Sequence, residues 1–393
     1  MTMHDRLVAL ESHPVQYHAP VYRAVERLGL PVTALYGSDF SISDHRDTEF
    51  GVSFEWDVDL LSGYTARFIS RVADGGGASY TEVSARGMRA ALRDASPTAV
   101  LLTGYGTAFE KASVACSLMS GTRLLYRAEA TDHALGRGHV RRVVRDKALR
   151  WLYRRIDERL YIGEHARCHF ARLGSPAAHF SPYCVDVGPF DPDDDARERL
   201  RSATRESLGI GPERRVILYS GKLVHRKGMD VLLDAAVQVR PYMPDLTLLI
   251  VGDGQMRASM EGVAEGAGLD VRFAGFQPQQ ALSSFYHASD VFVLPSRASE
   301  TWGLVVNEAL HHGLPCLVTD NVGSAPDLVI PGETGEVVEA GRADALADGL
   351  ARLLSWWHEG ASGRARRRAQ VKPYSVDAAA RGIVQAYEAA QRA

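Results

Sequence analysis

The chain has 393 residues, 46% of them hydrophobic and 24% charged, and its 45 Lys+Arg against 48 Asp+Glu leave a formal charge of -3. Such a length holds two or three domains of about 100–200 residues each, and the composition excludes intrinsic disorder and collagen-like fibres. Near-neutrality also excludes a global basic field for holding nucleic acid, so any anion must be bound locally.

The start, MTMHDRLVALESH, has no basic region followed by an apolar stretch, and no apolar run reaches about 18 residues, so neither an export signal nor a spanning helix is expected. Leu7–Leu10 reads as a strand, Pro20–Leu28 as a helix and Val32–Leu35 as the next strand. Asp74–Ser79 (DGGGAS) reads as a flexible turn. Ala99–Leu102 and Leu124–Tyr126 are further strands. From Val140 to Leu160 the apolar residues Val140, Val143, Val144, Ala148, Trp151, Leu152, Ile156 and Leu160 follow helical spacing. Arg141, Arg142, Arg145, Arg150, Arg154 and Arg155 crowd the other positions. Two readings are open for it: a core-packed helix with a solvated basic face, and a helix that touches anionic lipid.

Pro182–Asp195 (PYCVDVGPFDPDDD) reads as a connection between domains, with its hinge near Asp186–Asp191. A second series of strands follows at Val216–Tyr219, Leu246–Val251, Val271–Ala274, Val291–Leu294 and Pro315–Thr319, and Ser375–Ala393 is an alanine-rich helix after Pro373. Short apolar runs alternating with amphipathic segments are the pattern of parallel sheets covered by helices, so two α/β domains are expected. The cysteines Cys116, Cys168, Cys184 and Cys316 are far apart and form no C-x-x-C pair, which points to a reducing compartment without a disulfide framework or thiolate zinc site.

The chemistry concentrates in the second half. After Val216–Tyr219 comes SGKLVHRKGMDVLLDAA, a basic loop before an amphipathic helix. Ligands of open parallel sheets gather outside the carboxyl ends of strands, so Lys222, Arg226 and Lys227 face the cleft. Two ammonium groups and a guanidinium suit a diphosphate; a solvated loop is the other reading. Only five lysines occur (Lys111, Lys147, Lys222, Lys227, Lys372), and two of them fall here. The strand in LLIVGDGQMRASM ends at Gly252-Asp253-Gly254, the start of a dinucleotide fingerprint whose third glycine position holds Arg257. In FAGFQP, Phe276 beside Gly275 suits either a flat nucleobase or packing. In VFVLPSRASETWGLVVNEALHHGLPCLVTD a strand runs to Leu294, a loop carries Glu300, and a helix starts near Gly303 or Leu304 and stops at Gly313. A glycine at a helix start admits phosphate to free N–H groups and the favourable end of the dipole. Glu308, one turn in, can accept hydrogen bonds from ribose hydroxyls, and Glu300 from a hydroxyl of whatever the diphosphate carries.

GKLVHRKG (Gly221–Gly228), VGDG (Val251–Gly254), FAGFQP, ETWGLVVNEALHHGLP with Glu300 and Glu308, and TDNVGSAPDLVIPGETG (Thr319–Gly335) together resemble the retaining, family-4-type glycosyltransferases of the GT-B fold. The resemblance covers nearly all of the second half. It implies two Rossmann-like domains facing a cleft: 1–186 for the acceptor, 187–372 for a nucleotide sugar, and 373–393 as a helix packing back on the first. It further implies a nucleotide-diphosphate sugar as donor, no cofactor and no metal, and retention of configuration. Lys222 and Lys227 then belong at the diphosphate, Glu308 at the ribose and Glu300 at the donor sugar, with Gly221, Gly252 and Phe276 as further donor-binding residues. The backbone of Trp302, Gly303 and Leu304 meets phosphates and sugar, and Lys227 and Glu300 also take part in catalysis.

The first half departs from the family pattern. Where relatives often carry a Gly-Gly loop, this chain has SHPVQYHAPVYR, stiffened by Pro14 and Pro20, with His13 and Tyr17 as acceptor-side residues and His18 as a weaker one. In LLYRAEATDH, near the usual place of a catalytic histidine or aspartate, Glu129 and then His133 are the base assignments, and an Arg127–Glu129 ion pair is the competing reading. Tyr105 in TGYGTAF lines the same pocket. The expected activity is transfer to a small-molecule, natural-product or lipid-linked acceptor. A nucleotide-sugar epimerase or hydrolase and a non-catalytic sugar-nucleotide sensor are the alternatives. The expected setting is cytoplasmic, with helix 140–160 as a further contact to the inner face of a membrane.

Overall fold

The computed structural model describes residues 6–43, 58–129, 131–132, 139–176, 178–298, 300–356 and 360–392. Among them the first sheet has strands β1 (Leu7–Glu11), β2 (Val32–Tyr36), β3 (Thr65–Phe68), β4 (Ala99–Leu102), β5 (Arg123–Arg127), β6 (Glu158–Tyr161) and β7 (His179–Phe180). They pair in parallel in the order β3-β2-β1-β4-β5-β6-β7. Parallel pairing requires a crossover between strands, and both faces of such a sheet must be covered. The crossovers here are α1 (Ala19–Arg27), α2 (Met88–Ala95), α3 (Ala108–Ser120), α4 (His139–Tyr153) and α5 (Glu164–Arg172). Residues of α2, α4 and α5 pack on one face with Val8, Leu10, Val100 and Leu102; α1 covers the other against Leu7, Ala9 and Leu101.

The second domain repeats the plan with β8 (Arg215–Ser220), β9 (Leu246–Val251), β10 (Val271–Gly275), β11 (Val291–Leu294), β12 (Cys316–Thr319) and β13 (Gly335–Val338), in the parallel order β10-β9-β8-β11-β12-β13. Its helices are α6 (Asp194–Ser207), α7 (Met229–Val239), α8 (Arg257–Gly266), α9 (Leu282–Ala288), α10 (Leu304–His311), α11 (Ala325–Leu328), α12 (Ala343–Trp356) and α13 (Gly360–Val371). The apolar faces of α7, α8 and α12 cover one side of the sheet, while α9, α10 and α13 cover the other and share a core with Ile162, Ala166 and Tyr183 of the first half. The architecture is therefore two Rossmann-like α/β domains, as expected.

The final helix, α14 (Val376–Arg392), lies against the first sheet. Ala379, Ala380, Ile383, Ala386, Tyr387 and Ala390 are buried there, and small side chains at this spacing let the helix sit close. Tyr387 Oη lies 2.6 Å from Thr98 Oγ1, and Ser181 Oγ donates to the Ala379 carbonyl at 2.9 Å. A Cβ on Gly382 would overlap the Phe180 carbonyl oxygen.

Two expectations need correction. Val140–Leu160 is not one helix: α4 ends at Tyr153, and Leu160 belongs to β6. Ile156 and Leu160, four residues apart, satisfy helical spacing, but the same interval also returns to one face of a strand. Asp157 N donates to the Leu124 carbonyl at 3.0 Å, which starts the pairing with β5. The inter-domain connection is also shorter than Pro182–Asp195, because Asp194 and Asp195 already belong to α6. Asp193 caps that helix, its carboxylate accepting from Ala196 N at 2.7 Å.

Candidate active site

In the second sheet the strand order reverses between β8 and β11, and the crevice beyond their carboxyl ends is where such sheets take ligands. The loops after these two strands are built against each other. Buried Tyr219 donates its hydroxyl to the Lys222 carbonyl at 2.8 Å, and Arg297 N donates to the Arg226 carbonyl at 2.9 Å. Gly228 sits at φ +70, where a Cβ would overlap the Pro295 carbonyl oxygen, so glycine is what allows the loops to touch. The approach brings the Lys227 ammonium onto Glu300 Oε2. Ser296 Oγ donates to the same oxygen at 2.9 Å, and Glu300 is only 8% exposed. The Glu300 and Trp302 carbonyls accept from Gly323 N and Ser324 N, each at 2.9 Å, so the turn after β12 holds the Glu300 loop. Lys222 and Arg226 are half-buried beside it.

Gly303, at φ +91, opens α10 without a side-chain cap, leaving the first-turn N–H groups facing the crevice end of the helix. One turn on, Glu308 is buried and accepts from the Tyr286 hydroxyl at 2.6 Å. Burial pushes its carboxyl up to about 7, against the opposing pull of the Tyr286 hydrogen bond. Because the folded state holds this proton longer than the unfolded chain, stability must fall as pH rises from 4.5 to about 7, by on the order of 3 kcal/mol in all. Glu308→Gln removes that slope: its urea midpoint should gain on the parent's between pH 4.5 and 8, and parallel pH curves for the two would contradict the buried-acid account.

Gly221 and Gly252 join the same edge: Gly221 N donates to the Val251 carbonyl at 2.9 Å and Gly252 N to the Gly275 carbonyl at 2.8 Å. Half-buried Phe276 follows directly. Arg257, at the place of a third fingerprint glycine, pairs with Asp253 at 2.8 Å. The Trp302 side chain turns away from the crevice. Its Nε1 donates to Asn307 Oδ1 at 2.9 Å, and its ring packs between Tyr183 and Tyr374, centroids 6.1 and 5.8 Å away. A Cβ on Gly163 of the first domain would overlap that ring. Beside it the Asp327 carboxylate accepts from Glu164 N and from the Tyr374 hydroxyl, each at 2.9 Å.

The first sheet reverses between β1 and β4, and Thr103 Oγ1 donates to the Leu10 carbonyl at 2.8 Å across that point. His18 is committed inward: its Nδ1 lies 2.8 Å from buried Glu11, which also accepts from the Tyr22 hydroxyl. Burial raises the Glu11 carboxyl, but the charge and hydrogen bond of His18 and the Tyr22 hydroxyl outweigh it and hold the group below its ordinary range. His13 Nδ1 lies 2.8 Å from Ser12 Oγ, with the ring 4.4 Å from Phe40 and 6.0 Å from Tyr80. The ring of half-buried Tyr17 lies 5.5 Å from that of Tyr183, and burial together with the Glu129 charge raises its hydroxyl far above the ordinary range. The Tyr105 hydroxyl accepts from Arg145 Nη2 at 2.8 Å.

Glu129 is exposed just past β5 and accepts from Thr301 Oγ1, so an acceptor-side carboxylate meets the residue next to Glu300. The competing Arg127–Glu129 pairing gives way to other partners. Arg127 is buried and donates from Nε to Ser181 Oγ at 2.9 Å and from Nη2 to the Pro182 carbonyl at 2.8 Å. His133 lies outside the described residues. Ser296, Thr301 and Tyr286, which orient the three carboxylates, were not read from the sequence; only the serine of LPSRASE, four residues before Glu300, gave a local signal.

Residues 201–372 match the family "Glycosyl transferases group 1". The GDP-mannose-dependent alpha-(1-6)-phosphatidylinositol monomannoside mannosyltransferase of Mycolicibacterium smegmatis is 34% identical over 218 residues, 53% of this chain and 56% of that protein. The alpha-D-kanosaminyltransferase of Streptomyces kanamyceticus is 31% identical over 186 residues, 47% of each. The chain thus spans about half the length of the curated relatives it matches. Among solved structures, sucrose-phosphate synthase from Thermosynechococcus elongatus superposes with a TM-score of 0.70 at 20% identity over 98% of both chains. Anabaena HepE in complex with UDP does so with 0.71 at 15% over 98% of this chain and 99% of that one. These likenesses establish the fold. Residues 201–372 thus match the glycosyl transferases group 1 family, and the chain as a whole has the two-domain GT-B fold of these solved structures.

Proposed function

We propose that the chain is a metal-independent, retaining glycosyltransferase that moves a sugar from a nucleotide diphosphate to a hydroxyl of an acceptor held by the first domain. Residues 1–186 serve the acceptor, 187–372 the donor, and 373–393 return to the first domain. The observation that carries this reading is the Lys227–Glu300 pair, set between the basic loop and the open N-terminus of α10 at the point where the strand order reverses. As the sugar–phosphate bond breaks, charge grows on the departing diphosphate. Lys222, Lys227 and the first-turn N–H groups of α10 stabilise that charge more than the ground state, which lowers the barrier. Glu308 holds the ribose, Phe276 the base and Glu300 a donor-sugar hydroxyl. Glu129, carried by the first domain and hydrogen-bonded to Thr301, receives the acceptor proton, and His13, Tyr17 and Tyr105 shape the acceptor wall.

The relatives named above support a nucleotide sugar as donor, and the first one's name makes GDP-mannose the first donor to try. The test is release of nucleoside diphosphate from GDP-, UDP- and dTDP-sugars with and without polyol acceptors. Release that depends on the acceptor is expected, with the anomeric configuration of the donor kept in the product. Release from every donor without acceptor would move the reading to a hydrolase or epimerase, and binding without release to a sensor.

A further inference from the structure

The edge of the second domain opposite the crevice carries a guanidinium that nothing around it pairs. Arg197, Arg201 and Arg205 recur every four residues on α6, so they share one face of that helix. Arg201 and Arg205 take the two oxygens of buried Asp290, at 2.6 and 2.9 Å. From α13, Arg364 and Arg368 both donate to one oxygen of Asp194, at 2.7 and 2.6 Å. Both nearby carboxylates are therefore engaged. Arg197 lies within the field of these groups, yet its Nη1 is buried and has no hydrogen-bond partner among the described residues. Burial and the Arg201 charge pull its guanidinium down to about 10 from the ordinary 12.5.

Between α6, α13 and the turn that ends α10 is a cavity of about 160 Å³, lined by Arg197, Arg364 and Arg367 together with Asp290 and the Gly313–Pro315 turn. Arg367 is buried and aimed, donating from Nη1 to the Gly313 carbonyl at 3.3 Å. We propose that this cavity binds a phosphate group. Planar guanidiniums match the oxygens of a phosphate in pairs, and three of them converge here on a space of that size. A row of arginines that only braces the fold ends on carboxylates or carbonyls, as Arg201 and Arg205 do. Arg197 ends on the cavity, and a buried cation left so is costly unless an anion joins it. The volume is below the roughly 300 Å³ at which sites for larger ligands begin, so a nucleotide sugar is too large for it.

The cavity is separate from the donor crevice. Asp290 precedes β11 and Pro315 precedes β12, so it opens at the amino edge of the sheet, whereas Glu300 follows β11 at the carboxyl edge. Its occupant joins α6, which leaves the linker, to α13 and to the far end of the helix whose first turn opens on the crevice. Nothing in this assignment depends on the reaction proposed above.

Titration calorimetry with inorganic phosphate and with glycerol 3-phosphate, in phosphate-free buffer of matched ionic strength, tests it. The full chain carrying Lys222→Ala/Lys227→Ala is used beside the parent, because that pair removes the lysines of the crevice. Saturable binding of at least one probe is expected in both. Adding Arg197→Met to the lysine variant should weaken it by roughly tenfold or more, the worth of a charge-assisted hydrogen bond. In phosphate-free buffer Arg197→Met should melt at or above the temperature of its background, since it removes an unpaired buried charge, and the probe that binds should no longer raise its Tm. Tighter binding of inorganic phosphate makes the free ion the occupant; tighter binding of glycerol 3-phosphate makes it a phosphate borne by an organic molecule. Absence of saturable binding by both probes, its loss in the lysine variant, undiminished binding after Arg197→Met, or a marked fall in Tm for Arg197→Met without phosphate overturns the proposal.

Discussion

Lys227→Ala should lower kcat/KM with the productive nucleotide sugar by about 100- to 1000-fold, the loss seen when one preorganised group that stabilises developing charge is removed. The ammonium is held by its contact with Glu300, and Glu300 by Ser296, so it is aimed before the donor arrives. Its interaction with the diphosphate strengthens as the leaving group gains charge, so the loss should fall on kcat more than on KM. Lys227→Arg should recover only part of the rate, because a planar guanidinium cannot occupy the compact place between the two loops. The double variant Lys227→Ala/Glu300→Gln removes the stranded carboxylate, and its melting temperature against that of Lys227→Ala separates a folding cost from a chemical one. A kcat/KM within threefold of the parent's for Lys227→Ala would take this lysine out of the mechanism.

Gly382→Ala carries the largest expected effect on stability, and its sign is the reverse of the usual one. Replacing a glycine inside a helix with alanine ordinarily stabilises by up to about 1 kcal/mol. In α14 the added methyl overlaps the Phe180 carbonyl and comes within 3.0 Å of the Ser181 Cβ, neither of which is a flexible side-chain end. The helix must lift from the sheet and partly expose Ala379, Ile383, Ala386 and Tyr387. The expected cost is about 2–4 kcal/mol, a fall in Tm of roughly 2–5 °C for a chain of this size. Gly262→Ala in α8 is the control: a Cβ there meets nothing within 4 Å, so it should be neutral or mildly stabilising. A gain in Tm for Gly382→Ala would mean that α14 does not seat against β7 in solution.

Much of the second domain was legible because its signals are local. Strands β8, β9 and β11 are built on the apolar runs Val216–Leu218, Leu248–Val251 and Val291–Leu294, and the glycine and charged residues that follow them fall at strand ends, where a parallel sheet puts its ligands. The short strands β3, β6, β7 and β13 carry polar or half-buried residues and announce themselves only by pairing with a neighbour. The apolar spacing of α4 left its placement open, and the structure exposes Val140, Val144 and Trp151, because helical spacing records that apolar residues share a side and not what lies opposite. The junction of Glu129 with Thr301 joins positions 172 residues apart and has no local trace. Trp302 shows a second kind of gap: the motif marks its backbone, while its indole is fixed by Tyr183, Tyr374 and Gly163 from other parts of the chain.

That indole limits how the protein can be recombined. Chimeras that exchange the acceptor half between relatives are a direct route to new acceptor specificities, and the natural cut falls in the linker before α6. The graft must supply a residue without a side chain where Gly163 stands, since any Cβ would displace the Trp302 ring and with it the backbone that opens α10. It must also present the backbone N–H of Glu164 to Asp327. A donor half carried over with Trp302 and Asp327 is thus compatible only with partner halves that share this seam as well as the bed of α14 on the first sheet, and screening grafts for glycine at that position should enrich for chimeras that still turn over.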